Sequence, residues 1–200
     1  MIKSLLELLR KGHCLKGDLD GALQTFQAMV TKGVVADTVM YNTILDGAVR
    51  ASRFTLCDQL LKDMAQSGVE LSNFTLSIIV KMWGKRRQLE KAFNEVRKHS
   101  ETGDMQLDSK LCTCLLSACF HNGCPERALA ALEELKRLPN CDGPDGSTYE
   151  QLVEQLIKVR RGQEACDVAR EASQLAAAGN IKPRPDERPS NSNRKRLKGL

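Results

Sequence analysis

Cysteine and histidine are the side chains of this sequence best suited to hold a metal ion, and several cluster in its second half. Cys112, Cys114, Cys119 and Cys124 lie close together, with His121 between the last two. Structural zinc sites pair their cysteines as C-x2-C, whereas the spacing here is C-x-C-x4-C-x4-C. On a helix, Cys112 and Cys119 share a face that Cys114 does not. We therefore interpret these residues as free thiols of a helical core in a reducing compartment, and predict no metal.

Known catalytic motifs are missing from the sequence. It contains no G-x-x-x-x-G-K-[ST] phosphate loop, no H-x-E with the C-x-x-C of zinc deaminases, and no aspartate cluster suited to a metal nuclease. His99 has no nucleophile paired with it. No uninterrupted apolar run is long enough to cross a membrane. The sequence thus predicts a protein that is not an enzyme, needs no cofactor and acts by binding alone.

A repeat of 35–37 residues organises the chain. A small residue recurs early in each of five amphipathic helices: Ala22, Cys57, Ala92, Ala128 and Ala165. A fixed period of this length is typical of a solenoid, in which each helix pair buries its apolar faces against its neighbours. We predict an all-α, right-handed α-solenoid of about five helix-turn-helix repeats, with boundaries at 3–37, 38–72, 73–108, 109–145 and 146–179.

Helix start and stop signals fit this division. In the second repeat an apolar helix opens at Val39, a break falls at 51–53, and a second helix runs from about Phe54 to Ser67. Gly68 then ends it, because glycine takes a left-handed backbone at little steric cost. Asp18 is expected to cap the helix before Gly33, and Pro125 to open another.

The two ends of the sequence differ from the repeats. The first helix carries four leucines within five residues, which predicts a protein partner or a missing repeat against its Leu5/Leu8 face. A mitochondrial targeting helix is the alternative interpretation. Residues 180–200 carry a net charge of +5, so the rest of the chain sums to zero. They predict a disordered basic tail, which would be an import signal, an electrostatic arm or a solvated end.

The repeat resembles the pentatricopeptide repeat family. Tyr41-Asn42-Thr43-Ile44-Leu45 resembles the family's V-x-Y-N-x-L-I, and 22–29 matches A-x-x-L-F-x-x-M. Residues 33–37 match the G-x-x-P-D ending, and the resemblance covers residues 3–179. The tetratricopeptide pattern has a different period, and its W-x2-L-G-x2-Y helix is absent.

This resemblance implies single-stranded RNA as the partner, with one base facing each repeat. The implied base-reading pairs are a polar residue of the first helix and the last residue of the repeat, with apolar residues that sandwich the base. These residues are Asn42 with Ser72, Ser77 with Asp108, and Thr113 with Asp145, with Val39 and Phe74 as the sandwiching side chains. Glu7, Glu150 and Lys110 depart from the pattern.

Two functions remain open at the level of sequence. The resemblance implies organellar RNA processing, stability or translation, in a mitochondrion or plastid, although the sequence shows no clear transit peptide. The alternative is a helical-repeat scaffold that binds another protein through its leucine-rich first helix. RNA binding should weaken steeply with salt and with loss of Asn42, Ser77 or Thr113, whereas scaffold binding should not.

Overall fold

A computed structural model describes residues 18–179, and within that range the chain folds into nine α-helices. Their bounds are α1 Leu19–Thr31, α2 Thr38–Arg50, α3 Phe54–Gln66, α4 Asn73–Lys85, α5 Leu89–Thr102, α6 Ser109–His121, α7 Pro125–Leu135, α8 Gly146–Lys158 and α9 Gly162–Ala177. The Leu5/Leu8 face, Glu7 and the basic tail lie outside the described residues. In the described part, no helix is long and apolar enough to cross a bilayer.

In the four repeats whose first helix is described, that helix begins at a short polar side chain. Ser72, Asp108 and Asp145 each accept a hydrogen bond from a backbone N–H three residues further on, at 3.2, 2.8 and 2.8 Å. Asp37 does the same for α2. Such caps satisfy N–H groups that have no partner inside the helix. The closing residue of one repeat is therefore also the helix start of the next.

A residue with a left-handed backbone separates the two helices within four of the repeats. Ser52, Arg87, Gly123 and Arg160 occupy this position, with φ of 56°, 56°, 71° and 62°. At each of them the backbone N–H donates to the carbonyl three residues earlier. The second helix therefore starts within a few residues of the end of the first.

The described residues divide into two compact units, 18–105 and 106–179. In the first unit α1 packs on α2, α2 on both α3 and α4, and α4 on α5. In the second unit α6 packs on α7 and α8, and α8 on α9. The recurring small residues are all buried, which lets the helices of a pair approach closely: Ala22, Cys57, Ala92, Ala128 and Ala165.

The extra residues of the longer fourth repeat join two loops of the second unit. Leu107 pairs with Cys141 in an isolated parallel bridge. The Leu107 N–H donates to the Asn140 carbonyl at 2.8 Å, and the Asp142 N–H donates to the Leu107 carbonyl at 2.8 Å. The loop before α8 is thereby held against the loop before α6.

In each unit an arginine at the turn between the two helices of a repeat contacts the second helix of the preceding repeat. In the first unit Arg86 makes a two-point contact with Asp58, at 2.6 and 3.0 Å. The Arg86 guanidinium also stacks on Trp83, 5.0 Å from the ring centroid, and Lys91 lies 4.7 Å from the same ring. In the second unit Arg161 bonds to Glu126 and Glu164.

Candidate functional site

A polar pair lies where α2 and α4 meet in the first unit. Asn42 is only 5% exposed, and its Nδ2 donates a long hydrogen bond of 3.5 Å to the Ser72 Oγ. The Oδ1 of Asn42 is buried without a hydrogen-bond partner. Because buried polar atoms are nearly always paired, an unpaired amide oxygen calls for an explanation. The structure thus brings together the first sequence-predicted pair and leaves its amide oxygen enclosed without a partner.

Two exposed apolar side chains occupy the same register position on these neighbouring helices. Val39 is 60% exposed and Phe74 is 57% exposed, each at the second residue of its helix. Val39 shares a helix face with Asn42, three residues later, and Phe74 follows Ser72 by two residues. Exposed aromatic and aliphatic surface of this kind costs solvation free energy unless a ligand covers it. The predicted sandwiching residues therefore flank the polar pair.

Ser77 and Asp108, the second predicted pair, belong to different units. Ser77 is 6% exposed on α4 in the first unit. Asp108 caps α6 in the second unit, through its Oδ1 and the Leu111 N–H.

The third predicted pair, Thr113 and Asp145, is connected through the side chain of Thr148 and through Ser109, whose carbonyl accepts from the Thr113 hydroxyl at 3.1 Å. The Thr113 and Thr148 hydroxyls are 2.8 Å apart, and Thr148 donates to Asp145 Oδ1 at 2.7 Å. The Ser109 hydroxyl donates to Asp145 Oδ2 at 2.8 Å. These bonds hold the Asp145 carboxylate in place and occupy both of its oxygen atoms. The second unit therefore offers a polar cluster that is more fully satisfied than the Asn42–Ser72 pair.

Hydrogen bonding sets the charge state of Asp145. Partial burial alone would raise its pKa, but the hydrogen bonds from Thr148 and Ser109 and from backbone N–H groups outweigh that effect. The pKa of Asp145 is therefore lowered, and the carboxylate is ionised at neutral pH. Lys110 and Glu150, which depart from the repeat pattern, are both exposed.

A basic residue ends each first helix, a feature that sequence reasoning missed. Arg50 and Lys85 stand in the last turns of α2 and α4, and His121 and Lys158 in those of α6 and α8. Cations at this end of a helix offset its dipole, and they are also the groups that contact phosphates. Aligning the repeats on their small buried residues would have revealed the pattern, since it recurs at the repeat period.

Metal chemistry has no site in the described part of the chain. There, no group of three or more His, Cys, Asp and Glu side chains is arranged to hold an ion. Cys112 and Cys119 are buried on α6, while Cys114 is half-buried.

Family models match this chain in three stretches that together cover half of it. The PPR repeat family model matches residues 36–85, and the PPR repeat model matches residues 11–34 and 111–139. The chain therefore belongs to the pentatricopeptide repeat family, as its motifs predicted.

Similar curated proteins are longer than this chain. The small ribosomal subunit protein mL103 (rPPR7) of Arabidopsis thaliana is 24% identical over 153 residues, which is 76% of this chain and 36% of that protein. A pentatricopeptide repeat-containing protein of the same plant is 31% identical over 107 residues, 52% of this chain and 14% of that one. A chloroplastic member from the same plant is 24% identical over 131 residues, 64% of this chain and 17% of its own.

Solved structures confirm the fold class. The pentatricopeptide repeat protein PPR10 from maize aligns over 92% of this chain and 25% of its own, with TM-score 0.68 and 22% identity. The structure of its complex with an 18-nt psaJ RNA element aligns over 90% of this chain and 25% of that chain, with TM-score 0.71 and 19% identity. The PPR domain of Arabidopsis protein-only RNase P 1 in complex with tRNA aligns over 98% and 95%, with TM-score 0.64 and 16% identity. The predicted helical solenoid is therefore confirmed.

Proposed function

We propose that this protein binds single-stranded RNA at the starts of its first helices, one base per repeat. The observation that carries the proposal is the Asn42 amide, whose Nδ2 makes only a long 3.5 Å bond to Ser72 and whose enclosed Oδ1 has no partner. A rotation of this side chain that turns the amide towards a base would therefore break no strong hydrogen bond. An amide presents a donor and an acceptor together, which matches the polar edge of a base. The base itself is the kind of flat, partly polar ligand that would complete this site.

Stacking supplies the second support for this proposal. Val39 and Phe74 expose apolar surface beside the Asn42–Ser72 pair. A base inserted between them would cover both side chains while its edge meets the amide. Unstacked bases bind apolar and aromatic side chains in this way, with about 1–3 kcal/mol for each stacked base.

Phosphate contacts would come from the opposite ends of the same helices. In the first unit, Arg50 ends α2 and Lys85 ends α4. The Lys85 ammonium donates to the Val49 and Arg50 carbonyls at 2.9 and 3.2 Å, so it stands at the junction of the two helices. Positive groups at each repeat would follow a polyanion along the array.

Relatives and the kind of site support the biological role that we propose. Two of the similar structures hold RNA, an 18-nt psaJ element and a tRNA, and one relative is named chloroplastic. We place this protein in a mitochondrion or plastid, where it would act in RNA processing, stability or translation by binding alone. Thr113 with Asp145, which lie in the second unit, are the further base-reading pair of this proposal.

The test is fluorescence polarisation with a labelled random single-stranded RNA pool at two salt concentrations. We expect Phe74→Ala to weaken binding about tenfold, because one stacking platform is lost. Val35→Ala is the matched control, since Val35 is 89% exposed in a loop between α1 and α2. Asn42→Ala should also weaken binding. Its matched control is Asn94→Ala, because the Asn94 side chain is exposed on α5.

A further variant separates binding at the helix starts from binding by the basic tail. Arg194, Lys195, Arg196 and Lys198 are replaced by glutamine in the full chain, which removes positive charge without touching the helix starts. Binding that survives this change and falls with Phe74→Ala supports the proposal. Binding that disappears with the tail charges, or that is unchanged in both Phe74→Ala and Asn42→Ala, contradicts the proposal and indicates non-specific electrostatic contact with RNA. No RNA binding at all contradicts it too and favours the protein-scaffold function.

A further inference from the structure

We propose that Cys112 and Cys141 form a reactive dithiol site that low-molecular-weight disulfides, such as oxidised glutathione, convert into an intramolecular disulfide. Both residues lie in the second unit, and their Sγ atoms are 3.7 Å apart. A disulfide bond is about 2.05 Å long, so closure requires a movement of less than 2 Å or so between the sulfurs. This chemistry is independent of RNA binding and can be tested without it.

The two thiols differ in access. Cys112 is 1% exposed on α6, whereas Cys141 is half-buried in the loop before α8. The paired backbone of Leu107 and Cys141 holds that loop in place. An oxidant from solution therefore reacts first with the more accessible Cys141. Cys112 is the resolving thiol, which attacks the resulting mixed disulfide.

Hydrogen bonding makes Cys141 the more acidic thiol. The bond from the Cys112 S–H is the largest influence and, with a backbone hydrogen bond at Gly143, lowers the pKa of Cys141 to about 7. Partial burial and the carboxylates of Asp142 and Asp108 act in the opposite direction. The same thiol–thiol bond, then burial and the Asp108 and Asp145 charges, raise the pKa of Cys112. Cys141 is thus the thiol of the pair that ionises first, and its thiolate accepts a hydrogen bond from Cys112.

The reaction takes two steps that balance in atoms and electrons. The Cys141 thiolate attacks one sulfur of oxidised glutathione, so the glutathione disulfide bond breaks, a mixed disulfide forms and one glutathione leaves as a thiolate. That thiolate takes the Cys112 proton, directly or through water. The Cys112 thiolate then attacks the Cys141 sulfur and releases the second glutathione, which is protonated by solvent. The protein loses two electrons and glutathione disulfide gains them.

The disulfide would join two parts of the second unit that are now held by weaker contacts. Cys112 lies between the Asp108 cap and Thr113 on α6, and Cys141 precedes the Asp145 cap of α8. Closure would therefore tie the loop before α8 to α6 by a covalent bond. Cross-links of this kind restrict the unfolded chain and stabilise the folded one.

The experiment uses the full chain in buffers of fixed reduced-to-oxidised glutathione ratio, with free thiols trapped by alkylation and mapped by mass spectrometry. We expect wild type to form the Cys112–Cys141 disulfide before any other, and its thermal midpoint to rise by about 5 °C or more without reductant. Cys112→Ala should instead hold glutathione on Cys141. Cys141→Ala should leave Cys112 unmodified, and Cys166→Ala, an exposed thiol on α9, should behave as wild type.

Alkylation as a function of pH tests the mechanism separately. In wild type the reaction of Cys141 should have its midpoint near pH 7. In Cys112→Ala the midpoint should move up by about one pH unit or more, because the donor is gone. Disulfides that form elsewhere first, a Cys141 midpoint unaffected by Cys112, or no disulfide in strongly oxidising buffer would each overturn the proposal. If a variant does not fold, the proposal is tested by the wild-type disulfide map alone, which must show the Cys112–Cys141 disulfide forming first.

Discussion

The left-handed residue between the two helices of a repeat is a place where single residues set stability. Arg160 has φ of 62° and Gly123 has φ of 71° at the equivalent position. A side chain in this conformation costs about 1–2 kcal/mol, while glycine costs less than that through the entropy of the unfolded chain. No heavy atom would meet a Cβ built on Gly123 within 4 Å, so backbone strain alone decides that site.

We expect opposite effects from exchanging side chain and glycine at these two positions. Arg160→Gly should raise the free energy of unfolding by about 0.5 kcal/mol, and Gly123→Ala should lower it by about 1 kcal/mol. Urea denaturation of the full chain measures both. Arg160→Ala is the control, because it removes the charge and keeps the strained backbone. A gain in stability from Arg160→Ala equal to that from Arg160→Gly would show that the charge, and not the backbone, is responsible.

At the scale of the helix, the cap residues decide where α4, α6 and α8 begin. Asp145 combines a bond from the Thr148 N–H with bonds from the Thr148 and Ser109 hydroxyls. We expect Asp145→Ala to cost about 1 kcal/mol or more at neutral pH, since a cap is lost. Asp145→Asn keeps a capping oxygen and should cost less.

The pH dependence of this effect follows from the lowered pKa of Asp145. A carboxyl group with a depressed pKa in the folded state contributes stability above its ordinary pKa, near 3.9, and loses it as the pH falls through the folded value. The difference between wild type and Asp145→Ala should therefore be constant from pH 7 to about pH 5 and shrink below the ordinary pKa. Urea midpoints across this range measure it, and a difference that grows in acid would contradict the assignment.

Helix positions were predictable from sequence to within about one residue, as at α2 and α3, because caps, glycines and apolar spacing are local signals. The predicted α2 start at Val39 falls at Thr38, and the predicted α3 end at Ser67 falls at Gln66. Long-range pairings were not predictable in the same way. The Leu107–Cys141 bridge joins loops 34 residues apart in number, and nothing local marks it.

The candidate site was predictable only in part, for a similar reason. The repeat pattern located Asn42, Ser72, Val39 and Phe74, but burial and hydrogen-bond satisfaction depend on tertiary packing. Thr113 and Asp145 are linked through Thr148 and Ser109, two residues that no repeat motif singles out. The left-handed Arg87 and Arg160 were also missed, because arginine rarely takes that conformation.

Across the whole chain, two compact units each carry their own buried core. Leu132 on α7 is 2% exposed, and its truncation to alanine leaves a cavity that should cost about 2–5 kcal/mol. In repeat arrays stability depends on each repeat and its nearest neighbours, so the loss should stay local. We expect Leu132→Ala to speed amide hydrogen exchange in residues 106–179.

Hydrogen exchange with mass spectrometry checks this expectation peptide by peptide. Exchange in residues 18–105 should stay near the wild-type rate, and the reciprocal variant Leu60→Ala should speed exchange there instead. Equal acceleration across both ranges in either variant would mean that the array unfolds as one cooperative body, contrary to the expectation.

The residue that closes one repeat also starts the first helix of the next, and this has an evolutionary consequence. Ser72, Asp108 and Asp145 each start a helix, and only a few short polar side chains do that well. Substitutions at these positions should therefore be tolerated mainly among serine, threonine, aspartate and asparagine, because other residues lower helix stability. We therefore expect the closing position of each repeat to vary among only a few residue types. Bulky or apolar substitutions should be confined to Val39, Phe74 and the equivalent positions of other repeats.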